Sequence, residues 1–453
     1  MTRQNPHILL VNPWIHDFAA YDVWAKPLGL LTIGGILRHY RFDITYIDCL
    51  DRFHPKASLD IRSRFGRGPY LKTPIPKPSG FEDVPRRFSR YGIRPEWFRE
   101  ELLSVSKPDL ILVTSIMTYW WPGVRETIST IKEVFQKIPV ILGGVYATLC
   151  REHAVQNSGA DQVISGSCED RIGELVSGLT GVPYGPDNRF KPFDPDDLDT
   201  YPLPIHDLQR RIPYVPLLTS VGCPFSCAYC AAHFLTRKRM RKSPSRVLEE
   251  IRYWNRTYGV SDFALYDDAF LIDAENHASP ILERIIDSGL KVRIHTPNAL
   301  HVREVSISIA KQLYRAGFET IRLGLETTQF NGRELLDRKV GEEEFIGAAS
   351  YLLEAGFQKK QVGAYLLAGL PGQSMADVEV SIRNVKKCGI QPVLAYYSPI
   401  PHTALWKKAV LSSRYPLESD PVFTNNAVFP CRKKPFSWEK MSRLKRLASG
   451  EIE

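Results

Sequence analysis

The sequence predicts an α/β protein, a doubly wound parallel sheet followed by a partial (βα)6 barrel. Two patterns carry that expectation. Over the first 180 residues, short apolar runs alternate with amphipathic helical stretches, as in a parallel sheet covered on both faces. After residue 213, six strand-like runs recur roughly every 30 residues with helical stretches between them, two strands short of a full barrel. A chain of 453 residues has room for two or three domains, and 43% hydrophobic with 24% charged residues is ordinary core-forming composition.

Taken in order, the first strands are expected at His7 to Asn12, Asp43 to Asp48, Asp109 to Ser115, Val140 to Leu142 and Gln162 to Ile164. Between the third and fourth, Val124, Ile128, Ile131 and Phe135 recur at helical spacing and give one apolar face. Ligands of such sheets bind beyond the carboxyl ends of the strands. Here those ends read "TSIMTYWWPG", "GGVYAT" and "SGSCED", with small residues, hydroxyls and the flat rings of Tyr119, Trp120 and Trp121, expected at an apolar cavity edge or lid. The basic, aromatic stretch from Phe53 to about Trp97 is expected to be an ordered insertion, too long for a plain connection. These features divide the chain into a first domain (1–180), a Pro/Asp-rich linker (181–212), a barrel (213–406) and a C-terminal extension (407–453). The barrel strands are expected at Val215 to Val221, Asp262 to Tyr266, Lys291 to His295, Thr320 to Leu325, Gln361 to Leu367 and Val393 to Tyr397. Ser243-Pro244 reads as an N-cap followed by Pro at the first helical position.

Composition narrows the function. The longest apolar runs fall short of the roughly 20 residues a membrane helix needs. The start lacks the regions of a signal peptide, so a cytoplasmic protein is expected. Eight scattered cysteines do not make a disulfide scaffold, and in a reducing compartment a cluster of them points to a metal or to catalysis. A net charge of +9 permits a nucleic-acid partner without demanding one.

Three cysteines do cluster. In "TSVGCPFSCAYC", Cys223, Cys227 and Cys230 have the spacing C-x3-C-x2-C, just beyond the first barrel strand, where barrel chemistry sits. His233 could complete a Cys3His zinc site, and buried inert thiols or a redox pair are further readings. A structural zinc usually draws on two separated knuckles, however, whereas an iron–sulfur cluster held by three thiolates keeps one iron open to a ligand.

With Tyr229 in its aromatic slot, this motif resembles that of the radical S-adenosylmethionine (SAM) enzymes. The resemblance extends over about Val215 to Trp406. "FALYDDAF" is similar to the acidic segment that contacts the methionyl amino group, through Asp267 or Asp268. "RLGLETT" resembles the segment whose acidic residue, Glu326, reaches the ribose. "YLLAGLPGQS" resembles the glycine motif near the adenine, with Gly369 and with Gln373 where Glu is common. "YYSPIPHTALW" resembles the sixth strand end, with His402 where Gly is frequent. The resemblance implies a 4Fe-4S cluster on the three cysteines, SAM on its open iron, and reductive cleavage of SAM to a 5′-deoxyadenosyl radical.

The first domain resembles the cobalamin-binding, Rossmann-like domain that precedes the TIM-like partial barrel in one large subclass. Thr114, Ser115, Gly143, Gly144 and Gly166 are the implied cobalamin-binding positions. The D-x-H-x-x-G motif that supplies an axial histidine elsewhere is absent, His16 of "WIHDF" does not match it, and "GSCED" replaces the frequent G-E-G-E. The combination implies a cobalamin-dependent methyltransferase acting on an unactivated carbon of a small-molecule or lipid-like substrate, with a reducing protein such as flavodoxin or ferredoxin as partner. Rival readings are a radical cyclase or rearrangement enzyme without methyl transfer, and a non-catalytic zinc or iron–sulfur binding module. The basic run Arg237 to Lys242 is read as a solvated face or a contact to a cofactor carboxylate, not as a nucleic-acid site. His295, Asn298 and Tyr397 are candidates to face substrate, and Cys431 a candidate hydrogen donor or extra ligand. The tRNA methylthiotransferases, whose first domain carries three closely associated cysteines for a second cluster, are a weaker alternative: Cys49, Cys150 and Cys168 are far apart in sequence, although Cys49 and Cys168 both follow strand ends and could approach.

Overall fold

The computed structural model describes residues 5–57, 64–182, 193–236, 238–331, 333, 336–337, 339–432 and 437–452. The chain forms two compact units, Met1–Pro213 with Glu418–Thr424, and Tyr214–Leu417 with Asn425–Glu453.

The first unit is built on five parallel strands: β1 (His7–Asn12), β2 (Asp43–Asp48), β3 (Leu110–Val113), β4 (Val140–Leu142) and β5 (Gln162–Val163). Their order is β5-β4-β3-β1-β2, so the winding reverses between β1 and β3. Helices α1 (Leu28–His39), α2 (Trp121–Val134) and α3 (Ile172–Thr180) cover the sheet. Successive side chains of a strand point to opposite faces. Leu9 and Val11 therefore pack with Val124, Ile128 and Ile131 of α2, while Ile8 and Leu10 pack with Leu31 and Ile36 of α1 and Ile172 of α3. Each such aliphatic burial contributes roughly 1.5–3 kcal/mol, which is why β1 is apolar throughout.

The stretch expected as linker is part of this unit where it is described. Ile205 is fully buried against α1, and a Cβ at Gly34 would stand 2.4 Å from its Cδ1. Residues 183–192 of that stretch lie outside the described residues. In the insertion, Lys72–Pro74 and Ser89–Tyr91 join Ile15–Asp17 in an antiparallel ladder; residues 58–63 are again outside. The C-terminal extension is divided: 418–424 packs in the first unit, where Asp420 accepts from Trp121 Nε1 (2.7 Å) and Thr424 bonds Thr118 (3.1 Å), and the rest belongs to the second.

The second unit carries six parallel strands in strict chain order: β6 (Val215–Leu217), β7 (Asp262–Leu265), β8 (Arg293–His295), β9 (Phe318–Glu326), β10 (Val362–Ala368) and β11 (Gln391–Tyr396). Helices α4 (Pro244–Tyr258), α5 (Ala278–Asp287), α6 (Ile307–Arg315), α7 (Glu342–Glu354) and α8 (Met375–Lys387) follow in the connections. This is the partial (βα)6 barrel. Ser243 Oγ accepts from Arg246 N at 3.2 Å and starts α4 as expected, with Pro244 in its first turn. The expected strand Val215 to Val221 is broken after Leu217. No described helix is long and apolar enough to cross a membrane.

Candidate functional site

The break after β6 makes the cysteine loop. Asp267, at the end of β7, accepts from Thr219 N (2.8 Å), Thr219 Oγ1 (2.6 Å) and Ser220 Oγ (2.5 Å), which pulls the chain out of the sheet. Burial pushes this carboxyl up to about 6, against the lowering effect of those donors. Ser220–Val221 then pairs antiparallel with Met240–Arg241 and closes a loop over 222–239, of which Arg237 lies outside the described residues. Gly222 sits at φ +81°, and a Cβ there would be 2.9 Å from the Lys238 carbonyl oxygen. Within the loop, Cys230 N donates to Cys227 O (3.0 Å). Ala228 is held on both sides, donating to Leu336 O (2.8 Å) and accepting from Leu405 N (2.9 Å).

Cys223, Cys227 and Cys230 line one pocket of about 330 Å³ with Asp268, His301 and Lys339. None is in a disulfide. Burial raises all three thiols, Cys227 to about 11, although Lys339 lowers it. Such thiols are poor nucleophiles, but become good ligands when a bound cation offsets the cost of their charge. Among the described residues no group of three His, Cys, Asp or Glu side chains could hold a single ion. Three thiols on one pocket wall are the donor set of a cluster that keeps one iron open to a further ligand.

Beside the thiols stands an acid–base group. Glu326 ends β9 with φ +66° at a register shift, a strained conformation of the kind held at functional sites. Its carboxylate accepts from Tyr229 Oη (3.0 Å) and Lys339 Nζ (3.4 Å), and Lys339 lies 5.3 Å from the Tyr229 ring centroid. Burial lowers the Lys339 pKa, but Glu326, Cys227 and Asp337 outweigh it and the net direction is up.

Of the paired acids, Asp268 lines the pocket, while Asp267 spends its carboxylate on the loop base. Gln373 accepts from Gly369 N (2.9 Å) and donates to Leu367 O (2.8 Å), so its amide staples the glycine turn, where Gly369 has φ +98°. His402 has φ +67°, a conformation that favours glycine, and stacks on Phe234. His295 is fully buried between Asp262 (3.0 Å) and Thr320 (3.1 Å); it is a core histidine, not a pocket residue. Asn298 lines the pocket and donates to Tyr266 O (2.7 Å). Tyr397 and Cys431 are buried and do not line the pocket, and Cys431 donates to Ala409 O (3.8 Å). Lys339 and His301 escaped the sequence reading. Nothing local separates Lys339 from the other 58 Lys and Arg residues in a total of 59, because the β9–α7 loop alone brings it to the thiols.

The basic run is largely structural. Arg241 bonds Asp273 (2.7 Å), Arg239 donates to Ile272 O (3.3 Å), and Lys242 pairs with the buried Glu250 (2.6 Å). Lys242→Ala strands Glu250 without its countercharge and is expected to lower unfolding free energy by ~3 kcal/mol in denaturant titration. A change below ~0.5 kcal/mol would return Lys242 to the solvated face.

In the first unit, a slot of about 190 Å³ lies at the carboxyl ends of β3, β4 and β5. Thr114, Gly143, Gly144 and Gly166 line it, with Cys168 and Glu169. Ser115 does not: its hydroxyl donates to Gly143 O (2.7 Å) beneath the loop. Gly144 has φ +92° and no room for a Cβ, which would stand 2.3 Å from Ser115 O. Gly143 and Gly166 instead face open space, so the slot has a backbone floor that admits close approach of a flat, bulky group. His16 is not on it, since its Nε2 pairs with Glu126 at 2.7 Å. Trp120 donates to Asp17 (2.7 Å) and Trp121 to Asp420, and neither indole lines the slot. Cys49 is a core residue, and burial raises Cys150 and Cys168 to about 12.

Six parallel strands in chain order with three thiols on the loop after the first are the layout that the resemblance of the cysteine motif implies. Residues 217–385 match the model of the radical SAM superfamily, so the second unit carries a radical SAM domain. That domain takes a 4Fe-4S cluster and SAM, and the three-thiol pocket fits them. A curated relative, an uncharacterized methyltransferase of Pyrococcus horikoshii, is 25% identical over 366 residues, covering 75% of this chain and 78% of that protein. The anaerobic magnesium-protoporphyrin IX monomethyl ester cyclase of Rubrivivax gelatinosus is 23% identical over 346 residues, covering 68% and 60%. Among solved structures, the radical SAM methyltransferase TsrM of Kitasatospora setae, with cobalamin and a 4Fe-4S cluster bound, superposes with TM-score 0.64 at 15% identity, over 91% of this chain and 76% of that one. The chain therefore shares its fold with that solved enzyme.

Proposed function

We propose that this enzyme is a cobalamin-dependent methyltransferase that acts on an unactivated carbon of a small-molecule or lipid-like substrate. The observation that carries the reading is one chain with two built sites, a three-thiol pocket in the barrel and a glycine-floored slot on the doubly wound sheet. When bound, the cluster and SAM supply a one-electron route to a carbon radical, and cobalamin supplies a methyl carrier. The chain's residues then have positioning roles. Cys223, Cys227 and Cys230 hold the cluster by three thiolates. Asp268 offers an anion for the methionyl ammonium, and Glu326, oriented by Tyr229 and Lys339, offers acceptors for ribose hydroxyls. The turn at Gly369, held in shape by the Gln373 amide, is the segment placed for the adenine. Thr114, Gly143, Gly144 and Gly166 form the floor for the corrin. The electron comes from an external reducing protein such as a flavodoxin or ferredoxin.

The cyclase among the relatives supports a second reading, radical chemistry without methyl transfer. Products separate the two. Reconstituted enzyme loaded with hydroxocobalamin and given reductant and SAM is expected to form both 5′-deoxyadenosine and S-adenosylhomocysteine. 5′-Deoxyadenosine without S-adenosylhomocysteine would favour the cyclase-like reading, and neither product would overturn both.

A further inference from the structure

We propose that the His301 imidazole donates its Nε2–H to the Cys223 thiolate and by that bond raises the reduction potential of the cluster. The inference rests on the reading of the three cysteines as the cluster site. His301 reaches the pocket from the segment after β8, whose backbone is tied to β9 by Leu300 N to Arg322 O (2.8 Å). The ring is 7% exposed and stacks on Phe225, between two of the cysteines, at 5.0 Å and 26°. This stack orients Nε2 toward Cys223 Sγ at 4.0 Å, the long limit for a hydrogen bond to sulfur.

The other ring nitrogen supplies an independent observation. Nδ1 is buried with no hydrogen-bond partner among the described residues. A neutral imidazole carries one proton, and a buried N–H without an acceptor is the costlier arrangement. The proton therefore belongs on Nε2, facing the sulfur. One electron from the external reductant makes the cluster more negative, and an N–H donor to a ligand sulfur stabilises that reduced state more than the oxidised one. His301 is thus a positioning residue that acts through Cys223, and not an iron ligand.

The test uses the full chain, reconstituted with iron and sulfide, as wild type, His301→Phe and His301→Gln. Phe keeps the ring stack and loses the donor, whereas Gln keeps an N–H. EPR-monitored redox titration without SAM is expected to give wild-type iron content in His301→Phe and about a tenfold shift against reduction, ~59 mV for one electron. His301→Gln should recover part of the shift. An intact cluster in His301→Phe with unchanged potential overturns the proposal. If that variant does not hold iron, pulsed EPR of reduced wild type labelled with 15N-histidine decides: weak coupling of a hydrogen-bonded ring supports it, and ligand-sized coupling or none overturns it. Wild type that holds no iron overturns the cluster reading itself, before His301 enters.

Discussion

Cys227→Ala is expected to abolish SAM cleavage and cluster binding together, with the fold intact. Cys227 is 7% exposed, and burial lifts its thiol to about 11, so without a bound cation it is neutral at pH 7. Replacing a small neutral group should cost stability only modestly, about 1 kcal/mol. The loop keeps its shape because Leu336 and Leu405 grip Ala228 through the backbone, and those bonds survive the substitution. The loss of one of three thiolates, by contrast, leaves one more iron without a protein ligand. Reconstituted Cys227→Ala should hold well under one iron per chain against about four in wild type, melt within a few degrees of it, and form no 5′-deoxyadenosine. Retained SAM cleavage would refute the site.

Lys339→Met should have the next largest effect. Lys339 and Glu326 are both largely buried, at 14% and 9% side-chain exposure, and the lysine is the countercharge nearest the strained end of β9. Removing it leaves a buried carboxylate uncompensated, and breaking such pairs costs ~3 kcal/mol. SAM affinity of the reconstituted protein should fall at least about tenfold, because the same lysine orients Glu326. Adding Glu326→Gln should restore part of the stability but not the affinity, since the coupling in a double-mutant cycle separates the two effects. Wild-type melting and wild-type SAM affinity in Lys339→Met would show that the pair neither stabilises nor positions.

Much of this was legible in the sequence because the informative patterns are local. Strand β1 reads as a continuous apolar run, since both its faces are covered, and Ser243-Pro244 marks the start of α4 by rules confined to one turn. The cysteine motif is local too. Distinguishing Asp267 from Asp268 was not possible, because that depends on which carboxylate Thr219 and Ser220 capture from the neighbouring strand. The same holds for His295, whose partners Asp262 and Thr320 lie on flanking strands. Lys339 and His301 come from separate connections, so no spacing along the chain links them to the thiols. The Pro- and Asp-rich stretch before residue 213 shows a related limit, as composition marks an irregular backbone but does not report that Ile205 packs into a core.

The central claim, a cluster and a corrinoid held by one chain, is tested most directly by metal content. The protein should be reconstituted anaerobically with iron, sulfide and hydroxocobalamin, then desalted. About four iron and about one cobalt per chain are expected. Iron without cobalt would keep the radical SAM assignment and contradict the two-cofactor account, and zinc with neither would contradict both.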